Sequence, residues 1–151
     1  MDIMAKEKEK PQVDTWASKM KEFGGGNFTF LSSDGETLTF IVVGLPVLIK
    51  TEFKGKEQDR IGCPVVTENG FQLFITGKRL ARKLSKHEKS FGTNAIMVIR
   101  HGAEGDINAR YEVKELPEKE TYESLKKIAD DDFTPDMIDD AVKEASQVLK
   151  K

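Results

Sequence analysis

One cysteine in 151 residues, Cys63, leaves nothing for an intrachain disulfide and too few thiols for a cysteine-rich zinc site. A reducing, intracellular compartment is the expectation that follows. Long hydrophobic runs are equally scarce. No stretch reaches the roughly eighteen apolar residues of a membrane-spanning helix, and the opening "MDIMAKEKEKPQ" lacks the apolar stretch of a signal peptide. The chain reads as soluble and cytoplasmic, with no membrane among its partners.

Signatures of chemistry are missing too. The two histidines, His87 and His101, fall on a predicted helix and in a loop, without the spacing of a metal pair. No nucleophile elbow and no Cys/His pairing is present, so an enzyme is not expected. The triple glycine at 24 to 26 is followed by no Gly-Lys-Ser/Thr, which makes it a helix stop and hinge and not a phosphate-binding loop. "DDDFTPDMIDD" (130 to 140) lacks the glycine and terminal glutamate of a calcium loop; its acids suit a helix N-terminus and an acidic surface. No cofactor is expected.

What the chain does have is charge, unevenly spread. Charged residues make up 33% and hydrophobic ones 38%, polar for a globular chain and suggesting charged ends around a modest core. Residues 50 to 101 hold eleven Lys or Arg against five acids, a balance of +6; residues 115 to 151 hold eleven acids against six bases, a balance of -5. A basic middle points toward a polyanionic partner.

Periodicity sorts the rest. "VDTWASKMKEF" spaces Val13, Trp16, Met20 and Phe23 as a short docking helix. "NFTFL" reads as a strand, and "ETLTFIVVGLPVLIKTEF" (36 to 53) as a longer one bent at Gly44 and Pro46. "DRIGCPVVT" and "FQLFIT" form a hairpin through Asn69-Gly70. "GKRLARKLSKHEKSF" switches to helical spacing, with Leu80 and Leu84 on one stripe, before strands "AIMVIR" and "INARYEV". Two C-terminal helices follow, the second opened by Thr134 and Pro135.

The predicted order is bent strand, strand, strand, helix, strand, strand. That is the order of a five-stranded OB-fold barrel, a mainly β (α+β) class, with its helix between strands 3 and 4. The expected division is an N-terminal extension (1 to 35) with a short helix and strand, the OB domain (36 to 117) and an acidic helical extension (118 to 151).

An OB barrel binds across strands 2 and 3, between the loops that join strands 1 to 2 and 4 to 5, here "FKGKEQD" and "HGAEGD". Single strands need cations for phosphates and rings for bases. The candidate cations are Lys50, Lys54, Lys56, Arg60, Arg100 and Arg110; the candidate rings are Phe53, Phe71, Phe74 and Tyr111. Alternation leaves Arg60 opposite the Ile61, Cys63 and Val65 face, and Arg110 opposite Tyr111, whose phase Ile107 and Val113 share. Phe71 and Tyr111 favour core packing over stacking, whereas Phe74 and Phe53 stand level between the two. Arg79, Arg82 and Lys83 read as a solvated helix face outside the site.

The run "FKGKEQDRIGCPVV", the Asn-Gly turn, "GKRLARKL" and "IRHGAEGDINARYEVKELP" together resemble small phage and archaeal-virus single-stranded DNA-binding proteins of OB-fold type. The likeness spans about residues 36 to 117. It implies sequence-tolerant binding of single-stranded DNA in replication or recombination, in host cytoplasm, with Arg60, Arg100 and Arg110 on or near the binding face. Such proteins often end in a disordered acidic tail that recruits replication or recombination proteins. This chain instead sets its acids within a predicted helical segment and ends in "LKK". The alternatives are a protein-interaction or adaptor module built on an OB-like barrel, phage structural or regulatory, and an RNA-binding OB protein.

Overall fold

A computed structural model describes residues 27 to 53 and 55 to 149. The helix expected over 13 to 23, and Lys54, lie outside the described residues. The described chain forms β1 (Phe28–Thr29), β2 (Thr37–Val42), β3 (Val47–Phe53), β4 (Lys56–Thr67), β5 (Gly70–Thr76), α1 (Lys78–Ser85), β6 (Ala95–His101), β7 (Arg110–Leu116), α2 (Lys119–Asp132) and α3 (Asp136–Leu149). A single 3-10 turn, Glu88–Ser90, follows α1 and shortens the longer helix that the sequence suggested.

The bend expected at Gly44 and Pro46 divides that segment into β2 and β3. Pro46 has no N–H to give a ladder, and pairing with β4 lapses around it. Both halves still use β4: β2 through Ile41 and Val42 against Val66 and Val65, β3 through Val47 to Phe53 against Gly62 to Lys56. β2 also pairs antiparallel with β6. One bent segment therefore serves two neighbours.

Strand order is β1-β5-β4-β2-β6-β7, with β3 also on β4, and the sheet is open where a closed five-stranded barrel was expected. The reason lies at the edge of β5, where β1 adds in parallel, Phe28 opposite Leu73 and Thr29 opposite Phe74. Among the described residues, the outer edge of β7 pairs with no strand.

The segment "FKGKEQD" is a second correction. Phe53 pairs directly with Lys56, so residues 56 to 59 of the expected loop belong to β4, and Gly55, at φ 78, takes a left-handed conformation that glycine adopts without strain. Lys56, Gln58 and Arg60 are strand residues, Lys56 and Arg60 exposed and Gln58 half-buried.

The core has three parts. Cys63, Val65, Phe74, Ile96 and Val98 pack beneath Leu80 and Leu84 of α1. Ala141 and Ala145 of α3 cover Phe28, Ile49, Leu73 and Ile75. Leu125 and Ala129 of α2 cover Ile41, Val66 and Ala95. The acidic C-terminal segment thus docks its apolar stripe on the sheet, while Asp131, Asp132, Asp139 and Asp140 stay exposed.

Burial pushes the Cys63 thiol up to about 11, and the hydrogen bond with Thr76 only partly offsets it. At pH 8 that leaves on the order of one thiolate in a thousand. Alkylation of Cys63 is expected to run on the order of a hundredfold slower in native buffer than in denaturant; equal rates in a timed iodoacetamide assay would contradict this burial.

Candidate nucleic-acid interface

A cleft of about 480 Å³ opens along the end of β5. One wall is β3 and β4, which contribute Thr51, Glu52, Gln58 and Arg60; the other is the β6–β7 loop, which contributes Glu104, Asp106 and Ile107. Phe30 and Ser32, just past β1, complete its lining, with the Phe30 ring half exposed.

Each wall is fixed by polar contacts. The Thr51 hydroxyl donates to the Gln58 carbonyl at 2.9 Å, and the Gln58 side-chain oxygen accepts from Arg60 Nη2 at 3.0 Å. Arg60 is therefore exposed to solvent yet held in one direction. The β6–β7 loop is anchored by Gly102, whose N–H donates to Asp34 at 2.9 Å. At φ 137, and with Ala109 backbone 2.8 Å from where a Cβ would sit, Gly102 admits no side chain.

Arg100 builds the base of that loop. Its Nε donates to the Gly102 carbonyl at 3.0 Å, Nη2 to the Ala103 carbonyl at 2.7 Å and Nη1 to the Tyr111 hydroxyl at 2.7 Å. Its guanidinium carbon also lies 5.7 Å from the centre of the Tyr111 ring. With 7% exposure and every arm of the fork occupied, Arg100 positions the loop; it is withdrawn from the set of phosphate-binding cations.

Phe74 is likewise withdrawn as a stacking platform, because the ring is fully buried and packs on Phe40 with centroids 5.6 Å apart. Phe71 packs on Phe133 at 5.2 Å. Tyr111 is half-buried, tied to Arg100, and lines the cleft. Arg110 projects from the opposite face of β7, exposed and outside the cleft. Lys56 is exposed at the start of β4, Phe53 is its backbone partner, and Lys50 is exposed with Nζ 4.0 Å from Asp59. Of the candidates, the cleft thus brings Arg60 and Tyr111 together over buried Phe74 and Arg100, with Lys50 and Lys56 outside its lining.

Two lining residues escaped sequence reasoning. Phe30 is 48% exposed and Ile107 95% exposed, an unusual state for large apolar side chains. "NFTFL" does begin a strand, but it ends at Thr29, and Phe30 turns outward while Phe28 stays buried. Alternation sets Ile107 in phase with Tyr111, on the core side. An Asp106 turn, accepting from the Asn108 N–H at 2.8 Å, delays β7 until Arg110 and frees Ile107 from that phase.

Comparison with protein-family models, curated proteins and solved structures finds no match. The cleft must be interpreted from its own chemistry. Its ionised lining is mixed, Arg60 and the internally bonded Arg100 against Glu52, Glu104 and Asp106, and its apolar lining runs from buried Leu31, Phe74 and Leu80 to exposed Phe30 and Ile107. Among the described residues no group of three or more His, Cys, Asp or Glu is placed to hold a metal ion, and no helix is long and apolar enough to cross a membrane.

Proposed function

We propose that this protein binds single-stranded DNA without strong sequence preference, in replication or recombination, through an OB-type arrangement of β2/β3, β4, β5, β6 and β7. The support from topology is the order of those strands, the helix between the third and fourth segments, and a cleft flanked by the loop between the last two strands.

The observation that carries the reading is the half-exposed Phe30 ring in the lining of the cleft, with Ile107 and the oriented Arg60 beside it in that lining. A ring offers every base a stacking surface, and a guanidinium offers a second plane or a phosphate contact. The mixed charge inside suits bases more than phosphates, since carboxylates such as Glu104 repel phosphates and can accept from base N–H groups. Phosphates are then left to the cations outside the cleft, including Lys50, Lys56 and Lys78, which are all exposed.

The test is titration of fluorescent oligo-dT at several salt concentrations, with duplex as competitor. Wild type is expected to prefer the single strand, with a log-log salt slope of about -0.7 per phosphate contact. Phe30→Ala is expected to weaken binding by roughly 5- to 150-fold, the effect of losing about 1 to 3 kcal/mol of base stacking, with thermal stability nearly unchanged. Absence of binding at low salt, or preference for duplex, would sink the proposal. An adaptor role would then take precedence, supported by Leu45 and Leu48, which stand 80% and 51% exposed beside and on β3.

A further inference from the structure

A more basic hollow than the cleft lies elsewhere on the described residues. A second hollow of about 450 Å³ lies where α1 meets the β6–β7 ladder, lined by Lys83, Lys86, His87, His101, Arg110 and Glu112 along with Tyr111 and Val113. Helix side chains set aside as a solvated face and the strand cation Arg110 converge on one depression. No arrangement along the sequence signals this, because residues 83 and 110 come from different elements.

Its charge is positive in effect. The one acid in the wall, Glu112, already engages His101 at 3.1 Å and Lys114 at 3.4 Å, and those contacts hold its carboxyl below the usual range, the hydrogen bond with His101 first. Nearby Glu115 is taken up by His87 at 2.6 Å and by the Ser90 hydroxyl at 2.8 Å. Lys83 is steered into place by donating to the Tyr111 carbonyl at 2.7 Å, and an ammonium has two further protons to offer. Neither Lys86 nor Arg110 makes an ion pair with any described residue.

Tyr111 supplies the link, since it lines both hollows. The two sites lie on either side of one strand position, and a chain leaving the cleft over β7 meets Arg110, Lys83 and Lys86 next. We infer that this second hollow is a backbone subsite, taking phosphates of the same DNA strand whose bases occupy the cleft. The inference rests on the proposed function and extends it: cleft for bases, hollow for phosphates, with the path running around β7.

The experiment compares oligo-dT of about 6 and about 20 nucleotides, lengths at the short end of and beyond the roughly 4 to 16 nucleotides that an OB barrel covers. Wild type and the double variant Lys86→Glu/Arg110→Glu are titrated at several salt concentrations, with melting checked for both. Wild type should show a steeper salt slope on the long oligomer. The double variant should bind the short one as wild type does, yet lose about 1.4 from the long-oligomer slope, so that its affinity falls about sevenfold less between about 50 and 200 mM salt.

Unchanged long-oligomer affinity and slope in the double variant would overturn the subsite while leaving the cleft intact. Long-oligomer binding that depends on Lys86 and Arg110, together with unchanged binding by Phe30→Ala on either length, would keep the hollow and remove the cleft. No binding of either length by wild type would overturn both, leaving an acidic protein as the ligand to test.

Discussion

Phe74→Ala is expected to lower the stability of the fold by about 3 to 5 kcal/mol, read as a shift in the urea midpoint with little change in slope. Phe74 is fully buried, pairs across the ladder with Cys63, packs on Phe40 and belongs to the cluster under Leu80 and Leu84. Removing the ring leaves a void on which three elements converge, and α1 cannot collapse into it without dragging Leu80 and Leu84 off the sheet. Phe74→Leu retains most of the apolar volume and should cost well under half as much. DNA affinity measured well below the transition should be nearly the same for Phe74→Leu and wild type. A large drop in affinity with little loss of stability would reverse the assignment and restore the ring to the binding surface.

The second large effect is at Arg100. Arg100→Ala is expected to cost about 3 kcal/mol, because it strands the Gly102 and Ala103 carbonyls and the Tyr111 hydroxyl in a partly buried site, and a lost bond to a charged donor is worth roughly 1.5 to 3 kcal/mol. Arg100→Lys should recover only part of this, since one ammonium cannot span three acceptors arranged for a planar fork. Amide exchange should speed up in residues 102 to 109 more than in β2 or β4, and binding to the cleft should weaken as one wall loses its position. Arg100→Ala with wild-type stability and wild-type exchange in that loop would show that the fork does not hold it.

Much of the fold is legible from pattern alone. Alternation locates β6 and β7, the Asn69-Gly70 pair marks the β4–β5 turn with Gly70 at φ 99, and period 3.6 finds Leu80 and Leu84 as well as both C-terminal helices. Local chemistry also explains the bend at Gly44 and Pro46. What failed depends on the third dimension. Alternation gives Arg110 and Tyr111 opposite faces but does not say which face is wet or what meets it. Arg100 resembles any other strand cation until its three acceptors are placed. Phe30 and Ile107 are large apolar residues, for which burial is the default; only the ends of β1 and the Asp106 turn reveal them as exposed.

An open sheet leaves edges able to template a foreign strand, and two of them, at β5 and at β7, are treated differently. The β5 edge is covered in cis by the two-residue β1, a short patch that occupies Leu73 and Phe74 but would be stripped by cleavage between β1 and β2. The β7 edge is guarded by side chains: Arg110, Glu112 and Lys114 alternate along its exposed face, and a second copy adding there would set like charges against one another in several registers. A proteolytic nick near residue 32 would thus do more than trim an extension. It would uncover the apolar edge of β5 and promote self-association of the sheet, an outcome to monitor by light scattering when the protein is stored or digested.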